Sequence, residues 1–228
     1  MQVPKIIDLT ATIGDPRLPI ISFFPRITLE RFHVHEIHGR SNTKISMPIH
    51  VGTHIDSPYH FFREGTTVDE LPLETLIGEA VRLDLREVAK ENTAIAVEDI
   101  RNVAKLPNID LKDKIAVLQT GWAEKAFFRS DFYTDNPFLA EDTSRWLIAQ
   151  AIKALALDHP IDAAMSPGLG PVPGDSPNHR LFLGNGIPLI ENIINLETFD
   201  DLNFQMIALP IKVFRCDGAP ARVIAIVR

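Results

Sequence analysis

Eleven residues in the first third of the chain concentrate groups that could do chemistry: His50-Val51-Gly52-Thr53-His54-Ile55-Asp56-Ser57-Pro58-Tyr59-His60. Three imidazoles and a carboxylate fall in that span, and this nitrogen and oxygen donor set suits zinc, manganese or ferrous iron. On a helix, His50 and His54 would share a face at i, i+4. Val51, Gly52, Thr53 and Ile55 are poor helix residues, however, and Pro58 disfavours helical backbone at Ser57. In extended chain, His50, Gly52, His54 and Asp56 point to one side while Val51, Thr53 and Ile55 pack inward. That reading predicts an extended segment breaking into a turn at Ser57-Pro58, with Gly52 leaving room for a metal or substrate. Converging polar groups without an ion would be left short of partners. His50, His54 and Asp56 are therefore the expected ligands of a divalent metal. His60, beyond the turn, has an intrinsic pKa of about 6.5 that suits proton transfer.

The remaining histidines are read more plainly. His33 and His35 share a face at period two in Phe32-His33-Val34-His35-Glu36-Ile37-His38, with His38 on the other, as on a solvated hairpin. His159, between Asp158 and Pro160, reads as a turn histidine. Cys216, the single cysteine, reads as a half-buried strand residue and excludes an intrachain disulfide framework.

The elements that must position these groups are mostly strands in the first half. Ile27 to His38 and Asn42 to Ile49 predict a hairpin about Gly39-Arg40-Ser41. Ala80 to Leu85 and Ile115 to Thr120 are apolar runs typical of buried strands. Glu98 to Val103 suggests a short helix, and a longer one is expected from Asp142-Thr143 to about Leu155, with Ile148, Ile152 and Leu155 on one stripe. The Pro- and Gly-rich stretch from Ser166 to Pro177 predicts an ordered loop, with a helix starting after Ser176-Pro177. Phe204 to Ile211 and Arg222 to Val227 predict closing strands. The fold class that follows is α/β: one domain over residues 1–228, with a mixed, largely antiparallel sheet and flanking helices.

With 228 residues, 45% hydrophobic and 23% charged, the chain has ordinary globular composition. Its formal charge of −7 argues against nucleic acid as a partner, which requires a basic patch. No signal peptide or run of about 20 apolar residues appears, so no membrane association and a cytoplasmic setting are expected.

The segment from His50 to His60 also resembles the His-x-Gly-Thr-His-x-Asp-x-Pro-x-His signature of the cyclase-like metal-dependent hydrolases, which include bacterial kynurenine formamidase and isatin hydrolase. Every fixed position is present. Ile6-Ile7-Asp8-Leu9-Thr10 is similar to the family's opening strand, Thr120-Gly121-Trp122 to its central Thr-Gly-Trp, and Leu157-Asp158 to the strand end before its late active-site loop. The resemblance implies that His179 and Glu191 complete the metal centre. In two-metal members the carboxylate matching Asp56 bridges and this late pair holds the second ion; in single-metal members the pair positions substrate or water. It also implies a β-barrel-like core and a homodimer or homotetramer. The chain departs from the formamidase pattern between Gly14 and Pro25, where a Trp-Pro-Gly-Asp type segment is usual, and at Asp158-His159-Pro160.

The expected reaction is metal-dependent hydrolysis of a formamide, amide or cyclic amide in a small molecule. One or two zinc or manganese ions would activate water, and His60 would move the proton. Phe23, Phe24, Phe61, Phe62 and Trp122 are candidate walls for an apolar substrate, Phe23 and Phe24 foremost because they lie in an irregular segment. A cyclase or dehydratase using the same metal is the alternative, and a structural metal protein a third. A nitrogen- and oxygen-only donor set favours an open site over a closed structural one.

Overall fold

The computed structural model describes residues 4–103, 109–164 and 171–227. In chain order its strands are β1 (Lys5–Asp8), β2 (Thr28–His33), β3 (Asn42–Ser46), β4 (His54–Asp56), β5 (Ile77–Asp84), β6 (Ala94–Ile95), β7 (Ile115–Gln119), β8 (Phe138–Leu139), β9 (Ala154–Leu157), β10 (Leu189–Glu191), β11 (Asn203–Pro210) and β12 (Gly218–Val227). The helices are α1 (His35–His38), α2 (Leu73–Leu76), α3 (Val97–Val103), α4 (Trp122–Ala126), α5 (Glu141–Ala149) and α6 (Pro177–Gly184).

Seven strands close into a barrel in the order β12-β11-β5-β7-β9-β10-β4, because β4 also pairs with the start of β12; β1 lies along the far end of β12. The pairings β5–β7, β7–β9 and β9–β10 are parallel and the others in this sheet antiparallel. The expected mixed, largely antiparallel α/β fold is therefore observed. The parallel strands explain their own sequences. In β7 and β9, Ile115, Val117, Ala154 and Ala156 face the barrel interior, while Ala116, Leu118, Leu155 and Leu157 pack outward under the helices. Burial on both faces gives the unbroken apolar runs. Antiparallel β11 alternates instead, burying Phe204, Met206 and Ala208 and exposing Asn203 and Gln205. Many interior positions are alanine, as a narrow closed barrel requires.

Two elements differ from expectation. The helix predicted to reach Leu155 ends at Ala149; Ala151 turns left-handed at φ 57°, and Leu155 belongs to β9. Short apolar runs do not distinguish a helix stripe from a buried strand, which is why the period ran through the boundary. The hairpin forms, but β2 stops at His33 and α1 follows, capped by Gly39 at φ 62°. His38 is thereby folded back beside His33, with ring centroids 4.6 Å apart, rather than onto the opposite face. Of the Pro/Gly-rich loop, Pro167, Gly168 and Gly170 lie outside the described residues; residues 171–176 are irregular up to α6, which starts at Pro177 as predicted. Among the described residues no helix is long and apolar enough to cross a membrane.

Candidate metal centre and active site

The centre sits where β4, β10 and β12 meet. Antiparallel pairing sets Glu191 opposite His54 and Leu189 opposite Asp56 on one side, and Gly218 opposite Asp56 on the other. Directly opposed residues project to the same face, so β4 and β10 alone bring His54, Asp56 and Glu191 together. Ile55 points the other way, into the barrel core. Glycine at 218 is required because a Cβ there would lie 2.4 Å from the Ile55 carbonyl oxygen.

His54 donates from Nδ1 to the Gly52 carbonyl at 2.8 Å, which aims Nε2 at Asp56 Oδ1 (3.1 Å) and Glu191 Oε2 (3.6 Å). His179, on α6, reaches the same spot with Nε2 at 3.3 Å from Glu191 Oε1 and 3.5 Å from Asp56 Oδ2. Its other nitrogen is 2.6 Å from Asp162, whose carboxylate also accepts from the Asn178 and His179 amides at the start of α6. His50 lies between two carboxylates, Asp56 at 2.7 Å from Nδ1 and Asp217 at 2.7 Å from Nε2. His60 stacks on His50 with centroids 3.9 Å apart, its Nδ1 3.6 Å from Asp217.

These charges are taken out of water together. Burial alone would lower the His50 pKa, but Asp56 and Asp217 raise it to about 10. Burial would raise Asp56, yet His50 and His54 hold it well below the usual carboxylate range. Burial opposes charge on His179 as well, and Glu191 and Asp162 overcome it, pushing its pKa well up. Hydrogen bonds from His50 and then His60 depress Asp217.

The fit to a metal is tested by what remains unpaired. His54 Nε2, Asp56 Oδ2 and Glu191 Oε1 are buried without any hydrogen-bond partner, and the two oxygens lie 3.5 and 3.3 Å from His179 Nε2. Buried polar atoms without partners are costly, and a cation held among these residues would satisfy them. His54, Asp56 and Glu191 offer ligand atoms within 4.8 Å of one another, as do His50, Asp56 and His60. The donors thus divide around Asp56 differently from the contiguous His50, His54 and Asp56 set of the sequence. The centre opens on a cavity of about 510 Å³, walled on its apolar side by Phe23, Phe24 and Phe61.

Residues 7–162 match the family described as putative cyclase. The chain belongs to the cyclase family. It is 30% identical over 185 residues to a kynurenine formamidase of Bacillus cereus, covering 79% of this chain and 78% of that protein. Isatin hydrolase A from Labrenzia aggregata, solved with benzyl benzoate bound, superposes with a TM-score of 0.85 at 26% identity, over 98% of this chain and 94% of that one. A structure described as a potential metal-dependent hydrolase with cyclase activity gives 0.74 at 27% identity, over 99% of both chains. The expected cyclase-family membership and metal-dependent hydrolase class agree with these relatives.

Some site expectations change against this cyclase-family fold. Gly52 adopts φ 66°, and a Cβ there would meet Leu18 and Ala11 at ordinary contact distance, so the residue serves the backbone turn and not space for a metal. Only His54–Asp56 is strand; residues 50–53 are bent. Trp122 is buried under Phe132 and does not wall the cavity, and Phe62 packs at Gly184. His159 is in a bend but fully buried beside Asp158. Sequence reading missed Asp162, Asp217, Asn192 and Tyr133. Asp217 arrives because Ser57 donates its amide and hydroxyl to the Asp217 carbonyl, a tertiary pairing with no local signature.

Proposed function

We propose that this cyclase-family chain is a metal-dependent hydrolase that cleaves the C–N bond of a formamide, amide or cyclic amide in a small molecule with an apolar or aromatic body. The observation that carries the reading is that His54, Asp56 and Glu191, whose ligand atoms lie within 4.8 Å of one another, each keep an unpartnered buried atom beside an apolar-walled cavity. His50, His54, Asp56, His179 and Glu191 would hold one or two ions, zinc or manganese. When bound, a divalent ion of this kind lowers the pKa of water toward about 7 and polarises a carbonyl oxygen.

The chain's own residues supply the rest. Phe23, Phe24 and Phe61 hold the apolar body and exclude bulk water. His60 takes the proton as the water oxygen bonds to the carbonyl carbon, then returns it to the leaving nitrogen as the C–N bond breaks. Its stacking on His50 and its nearness to Asp217 hold the ring in place for both transfers. General acid–base help of this kind is worth about 10²- to 10⁴-fold.

Chelation should abolish turnover of N-formylated aromatic amines or of isatin, and zinc or manganese should restore it. In heavy-oxygen water the product acid should carry solvent oxygen. Restored turnover without that label would instead support the cyclase or dehydratase reading, which the description of the family and of the 27%-identical structure favours.

A further inference from the structure

Tyr133 lies on the segment after α4, far in sequence from every expected ligand, yet it lines the cavity with His54, Asp56 and Glu191. It also borders a second cavity of about 900 Å³ that shares Phe23, Pro160 and His179 with the first. Its side chain therefore stands where the two spaces join. An edge-on contact with Phe132, with centroids 4.9 Å apart, steadies the ring.

Hydrogen-bond accounting fixes what the hydroxyl can do. Asn192, directly after Glu191 and held left-handed at φ 57°, places Nδ2 at 3.2 Å from the Gly52 carbonyl and 3.4 Å from Tyr133 Oη. Turning the amide over would set Oδ1 against that carbonyl, acceptor against acceptor, so Nδ2 is the group that faces both. With Asn192 donating, the Tyr133 oxygen accepts, and its own hydrogen points elsewhere. Among the described residues no acceptor takes that hydrogen: Glu191 Oε1 and Asp56 Oδ2 are both without partners. Burial, Glu191 and Asp56 push the phenol pKa up, so it keeps its proton at neutral pH.

Resting on the hydrolase reading above, we propose that Tyr133 is a catalytic residue whose hydroxyl donates a hydrogen bond to the substrate carbonyl oxygen as negative charge builds on it. When water adds to the carbonyl carbon, the C=O π pair moves onto oxygen, and the uncommitted Tyr133 O–H stabilises the charge that builds there. The pair then returns, the C–N bond breaks, and nitrogen takes its proton from His60. Tyr133 keeps its proton throughout. The same Asn192 amide ties Tyr133 to Gly52, the carbonyl that orients His54, so donor and centre are set by one network.

The test compares wild type with Tyr133→Phe, which keeps the ring against Phe132, on an N-formylated aromatic amine and on isatin. Loss of one such donor typically lowers kcat by about 10²- to 10³-fold. That fall is expected with KM within about threefold, since the contact forms in the transition state, and with bound metal and melting temperature unchanged. An unchanged kcat overturns the proposal, as does a fall in kcat that tracks loss of metal. Absence of turnover in metal-loaded wild type on both probes overturns the hydrolase reading itself, and this proposal with it.

Discussion

At the residue scale the centre is a set of charges that no single partner satisfies. Asp56 accepts from His50 with Oδ1, lies 3.1 Å from the unpartnered His54 Nε2, and leaves Oδ2 bare, and Glu191 leaves Oε1 bare. Removing one member of a buried charged pair typically costs about 3–5 kcal/mol, because the other is stranded. Gly52 is held for a different reason. Since a Cβ would fit but the φ of 66° would be strained, Gly52→Ala should destabilise by about 1–2 kcal/mol with metal content retained, as urea unfolding and metal analysis would show. A loss of metal without loss of stability would restore the spacing role. The ligand types and their closeness in sequence made His50, His54 and Asp56 legible. Asp162, Asp217, Asn192 and Tyr133 were not, because each stands alone among ordinary neighbours and acquires its partner only through folding.

At the element scale, register does the positioning. β4 is three residues long, and its pairing with β10 and β12 delivers Glu191 and then Asp217 to His54 and His50. Apolar runs made β11, β5 and β7 legible, but the runs did not disclose that β9 follows α5 so soon. At the barrel's edge β1 is fastened by Asp8, bound through both oxygens to Arg222 on β12. Burial alone would raise the Asp8 pKa, but Arg222 and Thr10 hold it below the usual range. A depressed folded pKa stabilises fully above the unfolded value of about 3.9 and is lost as pH falls through the folded value. Both side chains are largely exposed, so Asp8→Asn should cost at most about 1 kcal/mol at pH 7. The gap from wild type should narrow from about pH 4 downward and close only below the folded pKa; a gap that does not narrow would mean the pair's charge is not its contribution.

At the scale of the whole molecule, the barrel presents the rim formed by β4, β10 and the start of β12 to α6 and to the Phe23–Phe24 segment. A strand side and a loop side thus meet over one cavity. The α/β class was legible because apolar runs bounded by turn residues mark strands and an amphipathic stripe marks the helix; closure of the sheet was legible only through the family resemblance, since it depends on β4 pairing on both edges. In the proposed reading, His54, Asp56 and Glu191 share a divalent ion while His60 moves protons beside it. Metal per chain, measured by mass spectrometry alongside turnover in wild type, His54→Ala and His60→Ala, tests this most directly. Wild type should carry at least one ion, His54→Ala should lose metal and activity, and His60→Ala should keep its metal with turnover down about 10²- to 10⁴-fold. Equal loss of metal in both variants, or full activity in metal-free wild type, would contradict it.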